Sequence, residues 1–319
     1  MTTPLLRIAS RGSPLALAQA RLTRAKLAAH HSWKGDEIEA LCPILTFKTT
    51  GDRIQDRPLA EAGGKGLFVK EIEEALIEGI ADLAVHSSKD LPAVQPSGLD
   101  LIAVLEREDP RDVFIARERE RFDDLPIGAR IGTSSVRRQA QALRARPDLA
   151  FCGLRGNVET RLAKIRGGEA DATFLALAGL NRLGIHLDGA EILDDETWLP
   201  ALCQGAIGLE ARAGDTRVQG LVSGIDHPAS HLAVICERAF LAALNGSCRT
   251  PIAGLARLAG NRLEFRGEVL RRDGRDSWTS SRATDVLADP IMARRAAALM
   301  GASAASDIKS MAGADMPHF

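Results

Sequence analysis

The 319 residues carry 41 basic and 42 acidic side chains, which leaves a formal net charge of −1 at pH 7. A charge balance this close to neutral argues against recruitment of nucleic acid or of a membrane surface by a global electrostatic field. Hydrophobic residues make up 45% of the chain, and no stretch approaches the length of a membrane span. The sequence therefore predicts a globular protein of two or three domains.

The cysteine pattern limits the metal chemistry and the compartment. The five cysteines (42, 152, 203, 236 and 248) are odd in number and have no Cys-x-x-Cys spacing, which predicts neither a disulfide framework nor a metal site. Arginines at 7 and 11 and a proline at 14 interrupt any signal-like apolar run. We therefore expect a cytoplasmic protein.

Strand-like and helix-like segments alternate in the first part of the chain. We predict strands at 5–10, 38–47 and 82–86, a helix at about 14–29 with Ser13 as its N-cap, and a helix at 68–80. We predict a polar, glycine-bearing loop at 48–66, and such a length is typical of a mobile lid. The GGKG at 63–66 lacks P-loop spacing, which excludes nucleotide binding by that route.

The stretch GTSSVRRQ at 132–139 has the pattern of a strand end followed by a capped helix. Serine and threonine are good N-cap residues, and Arg137 and Arg138 fall in the first helical turn. Because the helix dipole already places positive charge there, two arginines oppose stability unless an anion binds between them. The alternative is a pair of solvated arginines on a helix surface.

Basic residues recur at the ends of predicted strands. They are Arg11, Lys89, Arg137 with Arg138, Arg155 with Arg161, and Arg182. Alternating strands and helices predict parallel sheets, in which ligands lie beyond the carboxyl ends of the strands. Together these strand ends predict a ligand with several negative groups.

Two crossings of the chain predict two lobes. Residues 99–106 and 109–114 have the pattern of strands that leave one sheet and enter another, and the chain crosses back near 199–210. We predict an α/β fold with two hinged, doubly wound lobes resembling type II periplasmic binding proteins, plus a C-terminal α+β domain. The predicted domains are 1–104 with 205–223, 105–204, and 224–319, and we expect a loose tail after Asp307.

Asp90 and Cys248 are the residues that could carry chemistry. Asp90 is the only carboxylate among the basic strand ends and could hold and move protons, although an aspartate in such a turn more commonly caps a helix. Cys248 lies in a small-residue turn beside Arg249, where a thiol becomes reactive. The alternative for Cys248 is a buried structural cysteine.

Ordered motifs along nearly the whole chain resemble those of the porphobilinogen deaminase family. They are RIASRGSPLAL at 7–17, GGKGLFVKE at 63–71, AVHSSKDLP at 84–92, EREDPRD at 106–112, GTSSVRRQ at 132–139, LRGNV at 154–158 and QGA at 204–206. The resemblance implies a transferase that joins four porphobilinogen molecules head to tail, with loss of ammonia, to give hydroxymethylbilane. It also implies a dipyrromethane cofactor attached to Cys248 through a thioether.

The family's functional residues map onto this chain position by position. Asp90 corresponds to the catalytic aspartate, which would hydrogen-bond pyrrole N–H groups and stabilise positive charge as ammonia leaves. By the same resemblance the cofactor would be held by Ser87, Lys89, Thr133, Ser134, Ser135, Arg137, Arg138 and Asn157. The substrate and growing chain would be bound by Arg11, Ser13, Gln19, Arg155, Arg161, Arg182 and Gln204, with Lys65 and Phe68 in the lid.

This chain departs from the family pattern at two places. NGSCRTPI at 245–252 replaces the commoner Gly-Gly-Cys-Gln-Val-Pro-Ile, although the cysteine and proline keep their places. Cys203 stands where the family more often has glycine, and we assign it no role.

A protein of another class could show some of the same features. A non-catalytic, two-lobed binding protein for an anionic small molecule would explain the arginines but not Asp90 or Cys248. Nucleic-acid binding is disfavoured by the neutral charge and the 4% aromatic content. We expect porphobilinogen as the small-molecule partner, no nucleic acid or membrane partner, no metal, and a monomer.

Overall fold

The computed structural model of the chain describes residues 4–35, 37–53, 68–118, 120–247 and 249–317. It divides into two compact units, each built from two separate stretches of sequence. Unit 1 is Met1–Arg107 with Ala206–His231, and unit 2 is Glu108–Gly205 with Leu232–Phe319. The three predicted domains and their boundaries stay a prediction.

The described residues form the following strands and helices in chain order. The strands are β1 (Ile8–Arg11), β2 (Ile44–Phe47), β3 (Leu83–Ser87), β4 (Leu99–Val104), β5 (Asp112–Ala116), β6 (Arg130–Gly132), β7 (Ala150–Cys152), β8 (Ala172–Ala176), β9 (Glu191–Ile192), β10 (Ile207–Arg212), β11 (Ile252–Ala259), β12 (Arg262–Leu270) and β13 (Ser277–Asp285). The helices are α1 (Pro14–His31), α2 (Glu37–Leu41), α3 (Thr50–Arg53), α4 (Lys70–Ile77), α5 (Val136–Ala145), α6 (Val158–Arg166), α7 (Leu177–Arg182), α8 (Thr216–Val222), α9 (Pro228–Ala243) and α10 (Pro290–Ala312). Short 3₁₀ turns occupy Ser88–Asp90, Ser223–Ile225 and Gly313–Asp315.

Unit 1 contains a five-stranded sheet in the order β2-β1-β3-β10-β4. Strands β1, β2 and β3 are parallel, whereas β10 runs antiparallel to both β3 and β4. The carboxyl ends of β1, β2, β3 and β4 therefore share one edge with the start of β10. That edge carries Arg11, Ser87 and the turn that holds Lys89 and Asp90.

Unit 2 repeats this arrangement in the order β7-β6-β8-β5-β9. Strands β6, β7 and β8 are parallel, and β5 runs antiparallel to β8 with Asp112 opposite Ala176. The first residue of β5 thus lies on the same edge as the last residues of β6, β7 and β8. Asp112 lies at this edge, and the strands β6 and β7 end there just before residues 133–138 and Arg155.

The predicted fold class is confirmed, but its sheets are mixed and not wholly parallel. In each sheet the inner antiparallel strand is the first one after the chain enters or re-enters that unit, β5 after residue 107 and β10 after residue 205. Alternation of strands and helices gives the direction of strands joined by a helix. It says nothing about a strand that arrives from another sheet.

The predicted strand at 38–47 is wrong in its first half, where the chain forms α2. Ile38, Glu39, Ala40 and Leu41 lie in one helical turn, and the Cys42 N–H donates to the Ile38 carbonyl at 2.9 Å. Only Ile44–Phe47 pair with β1. The apolar run was short enough to suit either element.

The C-terminal part of unit 2 is an antiparallel sheet, β11-β12-β13, with α10 packed on β12 and β13. The expected loose tail after Asp307 is wrong, because α10 continues to Ala312 and buries Ile308 and Ala312. Small residues at 297, 301, 304 and 305 bring the buried face of this helix close to its neighbours. Among the described residues, no helix is long and apolar enough to cross a membrane.

Candidate functional site

In unit 1, α1 and β3 place two predicted site residues in contact. The Gln19 amide donates to the Ser87 hydroxyl at 2.8 Å, and Gln19 is 2% exposed. Ser13 caps α1 by accepting from the Ala16 N–H at 3.3 Å, as its sequence position predicts. The first turns of α1 are thus fixed to the end of β3.

Asp90 lies at the end of a three-residue turn that follows β3. Ser88 is buried, and its N–H donates to the Ala206 carbonyl at 3.0 Å, while Lys89 and Asp90 are half-buried. Among the described residues, Asp90 accepts no hydrogen bond. The carboxylate is therefore available to a ligand that brings its own donors.

Arg11 and Phe68 are brought together in the same unit. The Arg11 guanidinium carbon lies 4.4 Å from the centroid of the Phe68 ring, a cation–π distance. The Phe68 ring covers Gly51 so closely that a Cβ there would lie 2.3 Å from a ring carbon. Lys65 lies outside the described residues.

In unit 2, the hydroxyl residues after β6 shape the start of α5. The Thr133 hydroxyl accepts from the Ser135 N–H at 3.1 Å, and the Ser134 hydroxyl donates to the Leu154 carbonyl at 3.1 Å. Ser135 is the N-cap and accepts from the Arg138 N–H at 3.4 Å. The predicted N-cap is confirmed by this bond.

Arg137 and Arg138 both bind the carboxylate of Asp112. Arg137 Nη2 lies 2.8 Å from Asp112 Oδ2 and Arg138 Nη2 lies 2.7 Å from Oδ1. The Trp198 indole N–H donates to the same carboxylate at 3.0 Å. The anion that the sequence predicts between the two arginines is, in this structure, a residue of the chain itself.

Burial and the neighbouring charges shift the pKa values of Asp112 and Arg137. Burial alone would raise the pKa of Asp112, but the guanidinium groups of Arg137 and Arg138 outweigh it and hold that pKa well below its usual range. Burial lowers the pKa of Arg137. Two guanidinium groups against one carboxylate leave a formal charge of +1 in a region that excludes water, so the cluster still favours a further anion.

Gln204 belongs to the same buried cluster. Its amide donates to the Pro110 carbonyl at 2.7 Å and to Asp112 Oδ1 at 2.8 Å, and the side chain is 1% exposed. Arg182 Nη2 donates to the Gly205 carbonyl at 2.6 Å. Burial lowers the pKa of Arg182 to about 10, which leaves it charged at neutral pH.

The loop after β7 presents the remaining predicted residues at the surface of unit 2. Asn157 caps α6 by accepting from the Thr160 N–H at 2.8 Å, and Arg161 Nε donates to the Gly156 carbonyl at 2.9 Å. Asn157 is exposed, whereas Arg155 and Arg161 are half-buried. These side chains lie on the edge of the sheet that also bears Thr133 and Ser134.

Cys248 lies outside the described residues, but its neighbours are described. The Thr250 hydroxyl accepts from the Ser247 N–H at 3.0 Å and donates to the Ser247 carbonyl at 2.6 Å. The Arg249 N–H donates to the Ser247 hydroxyl at 3.2 Å. Serine and threonine thus replace the family's commoner residues on both sides of Cys248 with a hydrogen-bonded pair.

Cys203 has a backbone conformation that favours glycine. Its φ of 60° lies in the left-handed region, where glycine is free of strain and other residues rarely stand. The side chain is buried, and its N–H donates to the carboxylate of Glu237. This backbone conformation favours the glycine that the family more often has here, and Cys203 adopts it although it carries a side chain.

Sequence reasoning missed Asp112 and Trp198. Asp112 stands at the first position of β5, and in the sequence it is one acid among the charged residues of EREDPRD. A buried strand that starts with an aspartate was the one available signal. Among the described residues, no group of histidine, cysteine and carboxylate side chains could hold a metal ion.

Comparison with known families gives matches along nearly the whole chain. A family model described as "Porphobilinogen deaminase, dipyromethane cofactor binding domain" matches residues 6–220. A second, described as "Porphobilinogen deaminase, C-terminal domain", matches residues 231–309.

Relatives of similar length are found in two bacteria. A porphobilinogen deaminase of Nitrobacter winogradskyi is 51% identical over 312 residues, which cover 98% of this chain and 95% of the relative. A porphobilinogen deaminase of Nitrobacter hamburgensis is 49% identical with the same coverage. Among solved structures, a periplasmic binding protein from Brucella ovis with glutathione bound covers 75% of this chain and 68% of its own, at 16% identity and a TM-score of 0.40.

Proposed function

Because the chain belongs to the porphobilinogen deaminase family, we propose that it joins four porphobilinogen molecules head to tail, releases ammonia and yields hydroxymethylbilane. It is a transferase of tetrapyrrole biosynthesis. The observation that carries the chemistry is Asp90, a half-buried carboxylate that accepts no hydrogen bond among the described residues and follows the strand end bearing Ser87. Each porphobilinogen carries an acetate and a propionate, which suit the basic strand ends of both units.

The donor set of unit 2 fits a dipyrromethane cofactor. Arg137 Nε is buried and has no hydrogen-bond partner among the described residues, and the cluster it shares with Arg138 and Asp112 has a formal charge of +1. A carboxylate arm would satisfy both. When bound, the cofactor supplies the pyrrole to which the first substrate unit is joined. The proposed ligands of its carboxylates are Ser87, Lys89, Thr133, Ser134, Ser135, Arg137, Arg138 and Asn157, with Cys248 as the attachment point.

We propose that Asp90 acts on the reacting pyrroles. Its carboxylate accepts hydrogen bonds from pyrrole N–H groups and stabilises the positive charge that develops as ammonia leaves. Substrate and growing chain bind to Arg11, Ser13, Gln19, Arg155, Arg161, Arg182 and Gln204, with Lys65 and Phe68 beside them. Arginine suits this task since it stays charged and pairs with carboxylates through two parallel hydrogen bonds.

Intact-protein mass spectrometry of protein purified from cells tests the cofactor. We expect a mass above that of the sequence by two porphobilinogen units, each less one ammonia, and we expect Cys248→Ser to lack this increment. A wild-type mass equal to the bare sequence, in protein that consumes porphobilinogen, would contradict the attachment.

The variant Asp90→Asn tests the catalytic carboxylate. It keeps the size of the side chain and removes the charge, so we expect the cofactor mass to remain and turnover to fall by about 100-fold or more. Glu78→Gln, an exposed carboxyl at the end of α4, is the matched control and should keep wild-type turnover. A chain that binds porphobilinogen but neither consumes it nor carries the adduct would instead be a binding protein.

We also propose that the protein acts as a monomer in the cytoplasm, without nucleic acid or membrane partners. The near-neutral net charge supports the absence of a polyanionic partner. Light scattering at several protein concentrations should give a constant mass close to 34.1 kDa. A mass that doubles with concentration would contradict the monomer.

A further inference from the structure

Unit 1 contains a buried polar cluster centred on Glu210 of β10. Glu210 Oε2 lies 3.0 Å from His86 Nε2, and Gln95 Nε2 donates to Glu210 Oε1. Glu210 is fully buried, and His86 is 4% exposed. None of these three residues was a predicted site residue.

The two partners of Glu210 flank the catalytic turn along the chain. His86 lies in β3, two residues before the turn Ser88–Asp90, and Gln95 lies in the loop that follows it. One buried carboxylate therefore fixes both ends of the segment 86–95. The two hydrogen bonds close a loop that carries the half-buried Lys89 and Asp90.

Strand β10 also contacts the turn itself. The Ser88 N–H donates to the Ala206 carbonyl at 3.0 Å, and Gly208 lies opposite His86 in the sheet. A Cβ at position 208 would lie 2.8 Å from the Ser88 hydroxyl oxygen. The turn is thus seated directly on the backbone of β10.

A second carboxylate, Glu73 of α4, faces the cluster. It is 9% exposed, and burial together with Glu210 raises its pKa to about 7, while His86 opposes the shift. The charged groups around it are Glu210 from β10, His86 from β3 and Glu74 on its own helix. Because Glu73 takes up a proton near neutrality, the repulsion that Glu210 would otherwise meet is reduced.

We infer that Glu210, through His86 and Gln95, is a positioning residue that holds the Asp90 turn in its reactive place. The inference rests on the proposed role of Asp90. The Asp90 side chain has no hydrogen bond of its own among the described residues, so its placement depends on the backbone on either side of it. A buried carboxylate with two hydrogen-bond partners is rigid enough to fix the position of that backbone, whereas a solvated carboxylate is not.

The variants Gln95→Leu and Glu210→Gln test this inference in the cofactor-bearing enzyme. We expect kcat to fall by about 10- to 100-fold with KM within about threefold of wild type, because the reacting carboxylate is displaced while the binding groups are kept. Gln219→Leu, a half-buried glutamine on α8 of the same unit, is the matched control and should keep wild-type kcat. Urea unfolding and the adduct mass are measured alongside for each variant.

The exchange variant Glu210→Gln with Gln95→Glu provides the rescue. It restores an amide–carboxylate hydrogen bond between the same positions with the partners reversed, so we expect kcat to recover by about tenfold over Glu210→Gln alone. A Gln95→Leu enzyme with wild-type kcat would overturn the inference. If Glu210→Gln does not fold, the kcat of Gln95→Leu alone tests the inference. An exchange variant as slow as Glu210→Gln would also overturn it. The proposed function fails separately, if wild-type enzyme consumes no porphobilinogen.

Discussion

At the scale of single residues, the chain uses its own carboxylate to hold the two arginines that the sequence singles out. The buried Asp112 carboxylate accepts hydrogen bonds from four side chains, those of Arg137, Arg138, Gln204 and Trp198. An internal anion resolves the conflict with the helix dipole at the start of α5. It also orients both guanidinium groups before any ligand arrives, which lowers the entropic cost of binding a carboxylate.

The variant Asp112→Asn tests this anchor. Removing one partner of a buried ion pair leaves uncompensated charge, so we expect the free energy of unfolding to fall by about 3–5 kcal/mol in urea titrations at pH 7. Asp109→Asn breaks the half-exposed pair with Arg111 at 2.6 Å and should cost about 1 kcal/mol or less. Because the pKa of Asp112 is depressed, its stabilisation is complete above pH about 4 and is lost only in stronger acid. Equal losses for both variants would contradict the anchor.

The contribution of Glu73 to stability has the opposite pH dependence to that of Asp112. Its pKa is raised to about 7, so the folded state binds the proton more tightly than the unfolded state does, and stability falls as the pH rises from about 5 to 7. Glu73→Gln removes this titration, and we expect it to raise the free energy of unfolding at pH 8 by about 1 kcal/mol, allowing for solvent screening. At pH 5 the two proteins should be nearly equal. A Gln variant less stable than wild type at pH 8 would contradict the raised pKa.

Local chemistry made several of these residues predictable from the sequence. Ser13 was predicted as an N-cap, and a serine or threonine cap was predicted before Arg137, because a side-chain oxygen there can accept from an unpaired N–H of the first helical turn. Ser13 and Ser135 make these bonds. Asp112 and Glu210 could not be found that way, since their partners lie 26 and 124 residues away. Only the folded chain brings such partners together.

At the scale of elements, the tight turn before β10 depends on one glycine. Gly205 has a φ of +85°, and a Cβ there would lie 2.3 Å from the Glu108 carbonyl oxygen. Because that neighbour is backbone, it cannot rotate away, and we expect Gly205→Ala to cost about 3 kcal/mol or more in urea unfolding.

Gly128 is the matched control for this turn. Its φ is +77°, but nothing lies within 4 Å of an added Cβ. Gly128→Ala should therefore cost only the backbone strain of about 1 kcal/mol. A similar loss at both positions would mean that strain, and not the contact with Glu108, makes glycine necessary at 205.

The end of α10 is a structural element. Ile308 is fully buried, so Ile308→Ala should lower the free energy of unfolding by about 2–4 kcal/mol. Met311→Ala, on the same helix but 53% exposed, should change it by about 0.5 kcal/mol or less. The sequence missed this element because alanine, glycine and serine suit a loose tail as well as a close-packed helix. An Ile308→Ala variant with the wild-type free energy of unfolding would show that the end of α10 contributes little to stability.

Strand direction was the other element-scale feature that sequence pattern could not supply. The sequence pattern predicted a strand at 109–114 and a crossing of the chain near 199–210, but β5 and β10, which lie there, both run against their neighbours. This reversal puts Asp112 and Ala206, the residues at or just before the first positions of these strands, on the edges where the neighbouring parallel strands end. Wholly parallel sheets would have put both at the opposite edge.

At the scale of the whole molecule, unit 1 depends on a strand that arrives about a hundred residues after the others. Strand β10 hydrogen-bonds β3 on one side and β4 on the other, so β4 has no partner in the described sheet without it. The same stretch supplies Arg217, whose guanidinium lies 2.9 Å from Asp82. Burial of Asp82 would raise its pKa, but Arg7 and, to a smaller degree, Arg217 lower that pKa to about 2. Folding of unit 1 should therefore require both stretches of sequence.

Fragments of unit 1 test this dependence. Residues 1–107 alone should show no cooperative urea transition by far-UV circular dichroism, since an unpaired edge and exposed core cannot offset the conformational entropy of folding. Residues 1–107 joined to 206–231 by a short Gly/Ser linker should unfold cooperatively, because the Leu105 N–H already donates to the Ile207 carbonyl at 3.0 Å and the linker spans little distance. A control that joins 1–107 to 213–231 keeps α8 but omits β10, and it should behave like 1–107 alone. Cooperative unfolding of 1–107 would show that β1 to β4 form a stable sheet without the returning strand.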